Sequence, residues 1–343
     1  MEQVIIDNKI IGKNANTYFI AEIGGNFNGF DEGKNIIDAG IKVDIDAIKF
    51  QTFEADTVTI KNNMFDMDSI GKISQYDLFK QIEPDKKVQH QIVEYANQKN
   101  ISIYSAPSHM KDLEIMAKFN MPAWKIGSDL AIHVPLLEEV AKFNKPIILS
   151  TGMCSLKEIE LSLNAIAKYH EQIVLLHCIS DYPAKDDEQN LSVIPKMKKY
   201  FGVPVGFSDH TIGAEMSLAA IALGADVIER HFWCEGNTKG SDFILSSTPQ
   251  ELEYIIKQSK RIKQALGNGI KQPSLHERKN LKTNRISVVS LQNIKAGEIF
   301  TEANIDVRRP GYGIAPIHFN NIIGKIAKQN IEAETPLKWE FIK

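Results

Sequence analysis

Two short polar groups, SDH at 208–210 and ERH at 229–231, each follow an apolar run that has the pattern of a buried strand. An apolar helical pattern at 212–223 separates them, which predicts a strand, a crossover helix and a second, parallel strand. The carboxyl ends of parallel strands lie side by side, so we expect His210 and His231 to meet at one edge of a sheet. Two neutral imidazoles are suitable ligands for a divalent transition metal. The alternative is that both histidines cap strand ends and hydrogen-bond to the backbone.

Lysine side chains fall on two further predicted strands, Lys49 in AIKFQ and Lys125 in AWKIG. A lysine on a buried strand is unfavourable unless an anion or a carboxylate compensates its charge. A structural salt bridge explains one such lysine as well as an anion site does, whereas two lysines beside several hydroxyl groups favour an anion site. The other polar residues at predicted strand ends include Glu22, Gln51, Ser128, Ser150, His177, Ser180 and Ser208. Hydroxyl groups at strand-to-helix turns commonly hold phosphate, which predicts a phosphorylated or carboxylated substrate beside a metal.

The elements that must position these residues are short apolar strands alternating with helical patterns. We predict eight strands, at 18–23, 46–50, 101–105, 123–126, 146–149, 173–178, 203–207 and 226–230. A helical pattern follows each strand, and this alternation is typical of a (β/α)8 TIM barrel, whose chemistry lies at the carboxyl ends of its strands. The alternative is a doubly wound open sheet, but no GxGxxG follows the first strand. The polar insertion at 54–76 is predicted to be a long loop over the barrel mouth.

The character of the chain changes after Leu266. We predict a (β/α)8 barrel catalytic domain at 1–266 and a charged linker at 267–284. At 285–343, short β-like runs alternate with Gly and Pro turns, which predicts a small β-rich domain near the lower size limit for independent folding.

Composition excludes several classes of function. The chain has 343 residues, 43% of them apolar, and a net charge of −3, so it has a large core and no general attraction for nucleic acid or acidic membrane. Its three cysteines lack metal-binding or CxxC spacing, which indicates reduced thiols. The sequence shows no signal peptide, and no apolar run reaches the ~18 residues of a membrane span. We therefore expect a cytoplasmic protein with no nucleic-acid or membrane partner.

At this point a resemblance to a known family becomes evident. FIAEIGGNFNG, AIKFQT, WKIGS, KPIILSTGM, LLHCISDYP, VGFSDHTIG, VIERHF and VRRPGYGI occur in the order found in the sialic acid synthase family, which includes legionaminic and pseudaminic acid synthases. The resemblance extends from about residue 20 to residue 324. It implies a TIM barrel followed by an antifreeze-like (SAF, β-clip) domain in a domain-swapped homodimer. It also implies phosphoenolpyruvate-dependent synthesis of nine-carbon 2-keto-3-deoxy sugar acids.

The resemblance further implies roles for individual residues. His210 and His231 match the ligands of a divalent metal, most often Mn²⁺, with Mg²⁺ or Co²⁺ as alternatives. The phosphoenolpyruvate contacts of the family match Lys49, Lys125, Ser128, Ser150 and Ser208. Glu22 matches an acidic residue that handles water and protons, and Gln51, Tyr182 and Asp242 match sugar contacts. Arg309 matches an arginine that reaches the partner subunit's site and contacts the acylamino group of the sugar.

Four positions depart from the usual family pattern. They are Phe27, Ala106, Leu130 and Phe243, and three of the four replace a polar residue by an apolar one near the expected sugar site. Our hypothesis is that the accepted sugar is less polar than N-acetylmannosamine, for example a 2,4-diacetamido-6-deoxy hexose. Two other functions remain open: a Schiff-base sugar-acid aldolase that uses Lys49 or Lys125, and a non-catalytic sugar-binding barrel.

Overall fold

The computed structural model describes residues 1–67 and 71–343. The chain forms two compact units, Met1–Gly267 and Asn268–Lys343. The strands of the described residues are β1 (Gln3–Ile6), β2 (Lys9–Gly12), β3 (Tyr18–Glu22), β4 (Ala47–Thr52), β5 (Met64–Met67), β6 (Gly71–Ser74), β7 (Ser102–Pro107), β8 (Trp124–Ile126), β9 (Ile147–Ser150), β10 (Ile173–Cys178), β11 (Val205–Asp209), β12 (Val227–His231), β13 (Ser287–Ser290) and β14 (Ile305–Arg308).

Eight of these strands form the parallel barrel of the first unit. They are hydrogen-bonded in the order β7-β4-β3-β12-β11-β10-β9-β8, and β7 and β8 lie against each other, which closes the sheet. Every residue of β3, β7 and β10 is buried, as expected for strands covered on both faces. The predicted TIM barrel is confirmed, and each of the eight predicted strands overlaps an observed one.

Helices follow the barrel strands as the sequence predicts. The α-helices of the described residues are α1 (Gly29–Lys42), α2 (Ala55–Val58), α3 (Gln75–Ile82), α4 (Lys86–Gln98), α5 (Met110–Met116), α6 (Val134–Ala141), α7 (Leu156–Ala167), α8 (Val193–Phe201), α9 (Glu215–Ala222), α10 (Pro249–Leu266), α11 (Glu277–Thr283) and α12 (Phe319–Ile322). Capping boxes at Ser155 and Thr248 fix where α7 and α10 begin. None of the described helices is both long and apolar enough to cross a membrane.

A hairpin of β1 and β2 precedes the barrel and was not predicted. Its two-residue turn, Asp7-Asn8, has positive φ at both positions, which Asp and Asn tolerate better than most residues. Asp7 accepts a hydrogen bond from Ser102 at the start of β7, and Lys9 pairs with Asp46 just before β4. The hairpin therefore lies against the amino ends of the barrel strands, away from the end where chemistry is expected.

The insertion predicted as a long loop at 54–76 is more structured than the sequence suggested. It contains the short helix α2 and an antiparallel hairpin of β5 and β6, while residues 68–70 lie outside the described part of the chain. Ser74 caps α3, which follows directly. The polar composition of the insertion concealed apolar side chains that pack against its neighbours, such as Phe65 against Phe79 of α3.

The second unit has its own small core. Strands β13 and β14 pair antiparallel. An isolated bridge joins Val289 of β13 to Pro336, and other bridges join further segments of the unit to one another. The apolar cluster at its core contains Val288, Ile294, Phe300, Ile305, Ile314, Ile322, Ala327, Ile331 and Leu337. The interval predicted as a linker, 267–284, contains helix α11, none of whose residues is buried.

Candidate active site

One cavity of about 500 Å³ opens at the carboxyl ends of the barrel strands. Eleven of the twelve site residues predicted from the sequence line it: Glu22, Lys49, Gln51, Lys125, Ser128, Ser150, Tyr182, Ser208, His210, His231 and Asp242. Glu229 lines it as well. We refer to the buried charged and polar side chains at its base as the polar floor: Glu22, Lys49, Lys125, Ser150, Ser208, His210, Glu229 and His231.

The register of three neighbouring strands places His231, Glu22 and Lys49 side by side, because His231 pairs with Glu22 and Glu22 pairs with Lys49. Lys49 forms a buried ion pair with Glu22. Burial by itself lowers the pKa of Lys49, but the carboxylates of Glu22 and Glu229 outweigh burial, and the net pKa is raised. Lys49 therefore carries a full positive charge inside the barrel.

Lys125 is held by three oxygen atoms. Its Nζ donates to Ser150 Oγ at 2.7 Å and to the carbonyl of Ile126 at 3.3 Å, and it lies 3.5 Å from Glu229 Oε1. Burial lowers the pKa of Lys125 more than Glu229 raises it, and nearby Lys49 lowers it further. Lys49 and Lys125 are thus matched by two carboxylates, Glu22 and Glu229, and the polar floor holds two basic groups where an anionic ligand would meet them.

Glu229 is the central carboxylate of the polar floor. Its Oε1 accepts a hydrogen bond from Ser208 Oγ at 2.9 Å, and its Oε2 is buried without a hydrogen-bond partner. Burial raises the pKa of Glu229, but Lys125 and Lys49 reverse that effect, so the net pKa is lowered. The free Oε2 is a buried acceptor for a donor group that a ligand would supply.

His210 and His231 do meet, with ring centroids 5.6 Å apart. His210 Nδ1 lies 2.7 Å from the carbonyl oxygen of Ile179, so this nitrogen carries the proton and Nε2 keeps its lone pair. Burial lowers the pKa of His210 to about 4, which keeps the imidazole neutral at neutral pH. His231 Nδ1 is buried without a hydrogen-bond partner and lies 3.6 Å from Asp242 Oδ2.

This donor set fits a borderline transition metal, since it offers two imidazole groups and a nearby carboxylate. No group of three or more His, Cys, Asp or Glu side chains in the described residues is placed to hold a metal by itself. Tyr182 stacks on the His210 ring at 4.3 Å, and burial raises the pKa of its hydroxyl well above the usual value. The hydroxyl thus stays a neutral donor beside the histidines.

Asp242 is positioned by a loop that is tied to the β3–α1 connection. Asn237 donates to the carbonyls of Asn26 and Glu32, and Asn26 donates to the carbonyl of Phe232. Gly240 touches the carbonyl of Gly25 so closely that a Cβ at Gly240 would collide with it. These contacts, made mostly by buried groups, fix the loop between β12 and α10 and with it the position of Asp242.

A buried ion pair lies on the face of β11 and β12 that points away from the cavity. Asp209 and Arg230, paired in the ladder of β11 and β12, form an ion pair at 2.5 Å with at most 2% side-chain exposure. Thr211 and Ser217 donate to Asp209, and Arg230 donates to Ser247 Oγ and to the carbonyl of Thr211. Successive strand residues point to opposite faces, so the residues on either side of Asp209 and of Arg230 belong to the polar floor.

Arg309 and three of the four departures from the family pattern are not among the described residues that line the cavity. Arg309 is in the second unit, exposed and directly after β14. Among the four departures from the family pattern, Ala106 lines the cavity. Phe27 and Leu130 pack against the barrel core, and Phe243 stacks on Trp233 beneath Lys239. The hypothesis of a less polar sugar was based on four residues, and one of them, Ala106, lines the cavity.

Sequence reasoning missed Glu229 as a site residue, although a signal was present. Glu229 is two residues before His231 and therefore points to the same face of β12. It also pairs in register with Ser208, a predicted site residue. The apolar side chains that the 53–82 segment adds to the cavity were missed too, since their pattern is irregular and broken by polar residues.

The fold and the polar floor are those of a TIM-barrel protein whose candidate site lies at the carboxyl ends of the strands. Comparison with known proteins narrows this class. The profile of the NeuB family matches residues 36–271, and the profile of the SAF domain matches residues 285–343. The chain belongs to the NeuB family, and the resemblance noted in the sequence is confirmed.

Three similar proteins align with this chain over nearly their whole length. The chain is 37% identical over 326 residues to N,N'-diacetyllegionaminic acid synthase of Campylobacter jejuni, covering 93% of this chain and 98% of that protein. It is 38% identical over 343 residues to the uncharacterised protein MJ1065 of Methanocaldococcus jannaschii, covering 99% and 98% respectively. The crystal structure of the N-acetylneuraminic acid synthetase of Leptospira borgpetersenii in complex with citrate matches with a TM-score of 0.72 at 30% identity, covering 81% of this chain and 94% of that chain.

Proposed function

We propose that the protein is a cytoplasmic transferase that condenses phosphoenolpyruvate with the open-chain aldehyde of an N-acylated amino sugar. The products are a nine-carbon 2-keto-3-deoxy sugar acid and phosphate. The observation that carries this proposal is the convergence of two buried lysines, two buried histidines and several serines on one cavity. A doubly anionic substrate would supply anionic partners to the two buried basic groups.

In this proposal Lys49 and Lys125 bind the carboxylate and phosphate of phosphoenolpyruvate. Ser128, Ser150 and Ser208 supply hydroxyl donors. Each of these serines already lies within hydrogen-bond distance of a protein group, such as Lys125 for Ser150, which holds its side chain in place before the ligand arrives. Preorganised donors of this kind stabilise charge that develops in a transition state.

His210 and His231 are the residues that would hold the divalent metal, which we propose to be Mn²⁺, with Mg²⁺ or Co²⁺ as alternatives. When bound, the metal supplies Lewis-acid activation of the sugar aldehyde. The protein itself contributes orientation, since the bond to Ile179 fixes the His210 ring and Tyr182 stacks on it.

The reaction forms one carbon–carbon bond, between carbon 3 of phosphoenolpyruvate and the aldehyde carbon, and the aldehyde oxygen takes up a proton to become a hydroxyl group. Water adds to carbon 2, and the carboxylate of Glu22 accepts one of its protons, which balances the proton taken up by the aldehyde oxygen. The bond between carbon 2 and the phosphate oxygen then breaks, the remaining proton of the added water leaves with inorganic phosphate, and a keto group remains. Alignment of two substrates in one cavity contributes ~7–11 kcal/mol to catalysis, which is why both must be bound in register.

For the sugar we propose a 2,4-diacetamido-6-deoxy hexose in preference to N-acetylmannosamine. The relative from Campylobacter jejuni at 37% identity is a N,N'-diacetyllegionaminic acid synthase, which supports this choice. Gln51, Tyr182 and Asp242, all at the cavity, are the proposed sugar contacts. We further propose a homodimer in which Arg309 reaches the partner's site, which would give the exposed arginine an acylamino group to bind.

Release of phosphate tests the proposal directly. We expect purified protein to release phosphate from phosphoenolpyruvate only when both an N-acylated amino sugar and Mn²⁺ are present. Treatment with EDTA should abolish release, and added Mn²⁺ should restore it. Release without sugar, or release that persists in EDTA at the full rate, contradicts the mechanism.

A Schiff-base aldolase remains a second candidate because burial lowers the pKa of Lys125, which favours an unprotonated amine. Borohydride reduction in the presence of a keto acid distinguishes the two functions. An aldolase would gain the mass of the keto acid covalently on Lys125. The proposed transferase is expected to remain unmodified and to lose activity only to the chelator.

A substitution that frees the loop carrying Asp242 should lower kcat/KM for the sugar more than it affects phosphoenolpyruvate. In Asn237→Ala, the side-chain hydrogen bonds to the carbonyls of Asn26 and Glu32 and from Asn35 are lost. We expect kcat/KM for the sugar to fall about 10–100-fold because small misplacements of contact groups are costly. The KM for phosphoenolpyruvate should change less than threefold. The control is Asn120→Ala, an exposed asparagine that accepts one hydrogen bond from Lys145; equal losses for both substrates would refute a positioning role.

A further inference from the structure

The cavity has a second, apolar part that the proposed chemistry does not use. Six apolar side chains among the described residues of the segment 53–82 line it: Phe53, Val58, Phe65, Leu78, Phe79 and Ile82. We call these six residues the apolar wall. Every residue of the polar floor, by contrast, lies on a barrel strand or directly after one.

The apolar wall is a packed structure centred on Phe79. The ring of Phe79 packs edge-on against Phe53 at 5.5 Å and lies 6.0 Å from Phe65. Leu78, Phe79 and Ile82 lie on one side of α3, yet none of the residues of α3 is buried. The apolar side of this amphipathic helix therefore borders the cavity instead of being covered by the protein core.

The chain places the apolar wall further out than the lysines. Lys49 lies within β4, whereas Phe53 follows the last residue of that strand. Four residues of extended chain span roughly 13 Å. A substrate whose reacting carbon faces the polar floor therefore presents its opposite end to the apolar wall.

The side-chain carbonyl oxygen of Gln75, a residue of α3 that also lines the cavity, is already engaged. This Oε1 accepts hydrogen bonds from Thr59 Oγ1 at 2.6 Å and from Asn63 Nδ2 at 2.7 Å. A substrate hydroxyl placed against the six apolar side chains of the wall would lose water and find this acceptor occupied, whereas a methyl group would gain apolar contact.

We propose that the apolar wall binds the carbon 5 and carbon 6 end of the amino sugar and selects a 6-deoxy sugar over its 6-hydroxy counterpart. This inference rests on the proposed function, because it needs the aldehyde carbon at the polar floor. Carbon 6 is the end of an open-chain hexose furthest from the aldehyde. A pocket of this kind discriminates a single group by about 10–100-fold.

The test compares two sugars that differ in one hydroxyl: N-acetylmannosamine and its 6-deoxy analogue. With each, kcat/KM is measured by phosphate release for the full-length protein and three variants. Phe79→Ser removes the centre of the wall, and Val58→Thr keeps the side-chain shape but adds a hydroxyl. Tyr76→Ala is the control, since Tyr76 lies on the same helix but binds Asp56 through its hydroxyl and is not among the described residues that line the cavity.

We expect the unmodified protein to prefer the 6-deoxy sugar by at least 10-fold. Phe79→Ser and Val58→Thr should each reduce that preference at least threefold, with the KM for phosphoenolpyruvate unchanged, and Tyr76→Ala should leave it intact. Phosphate release with both sugars at equal kcat/KM, or an unaltered preference in both wall variants, would overturn the role of the wall while leaving the condensation standing. No release with any sugar would overturn the proposed function and this inference together.

Discussion

In Lys125→Met, kcat/KM for phosphoenolpyruvate is expected to fall about 10³-fold. Removal of a single preorganised donor costs about 10²–10³ in rate, and Lys125 is such a donor at a buried position. Its Nζ is held by Ser150 and lies beside Glu229, so no neighbouring side chain can move into its place. Methionine keeps the apolar stem and removes only the ammonium group.

The measurement is phosphate release over a range of phosphoenolpyruvate concentrations at saturating sugar and Mn²⁺. Lys142→Met is the matched control, because Lys142 is an exposed lysine paired with Glu139 on the helix surface; its kcat/KM should stay within twofold of the unmodified protein. Unchanged far-UV circular dichroism would show that Lys125→Met is folded. A folded Lys125→Met that loses less than tenfold would exclude Lys125 as an anion-binding residue.

In Arg230→Met, the free energy of unfolding of the barrel is expected to fall by about 3–5 kcal/mol. Removal of one partner from a buried ion pair leaves the other charge uncompensated. Asp209 would keep its bonds from Thr211 and Ser217 but lose its only opposite charge among the described ion pairs. Ser247 and the carbonyl of Thr211 would also lose their donor.

Urea unfolding followed by tryptophan fluorescence measures this loss. A Trp339→Phe background restricts the signal to Trp124 and Trp233, which belong to the first unit. Arg261→Met is the control, since Arg261 is exposed on α10 and bonds only to Gln258 among the described hydrogen bonds; it should change stability by less than about 0.5 kcal/mol. A loss below 1 kcal/mol in Arg230→Met would mean that the ion pair is not required for stability.

The barrel could be predicted because its strands are buried on both faces and read as short apolar runs. The polar residues that interrupt these runs, such as Lys49, Lys125 and His231, are the ones that the structure gathers in the cavity. Strand direction then brings residues far apart in sequence to one end of the sheet. The grouping of these residues follows from the parallel direction of the barrel strands alone. For this reason most of the candidate site could be predicted from the sequence.

The remaining features of the candidate site depend on contacts that the spacing of apolar residues along the sequence does not reveal. Glu229 looked like one of several charges in VIERHF, and only its register with Ser208 and its distance from Lys125 mark it as central. The packing of Phe65 against Phe79 joins a mostly polar insertion to the helix that follows it. The direction of a loop side chain is equally hidden, so Phe27 and Phe243 were expected near the sugar but pack elsewhere.

The alternation along β11 and β12 has a consequence for how such an enzyme changes over evolution. Each functional residue in SDH and ERH has as its neighbour a member of the ion pair that holds the strands together. A mutation that shifts either strand by one position would turn the ion-pair residues toward the cavity and the cavity residues away from it. This part of the chain therefore has little freedom to vary. New sugar preferences would then arise mainly in the 53–82 segment, where a substitution alters the acceptor without disturbing the residues that make the bond.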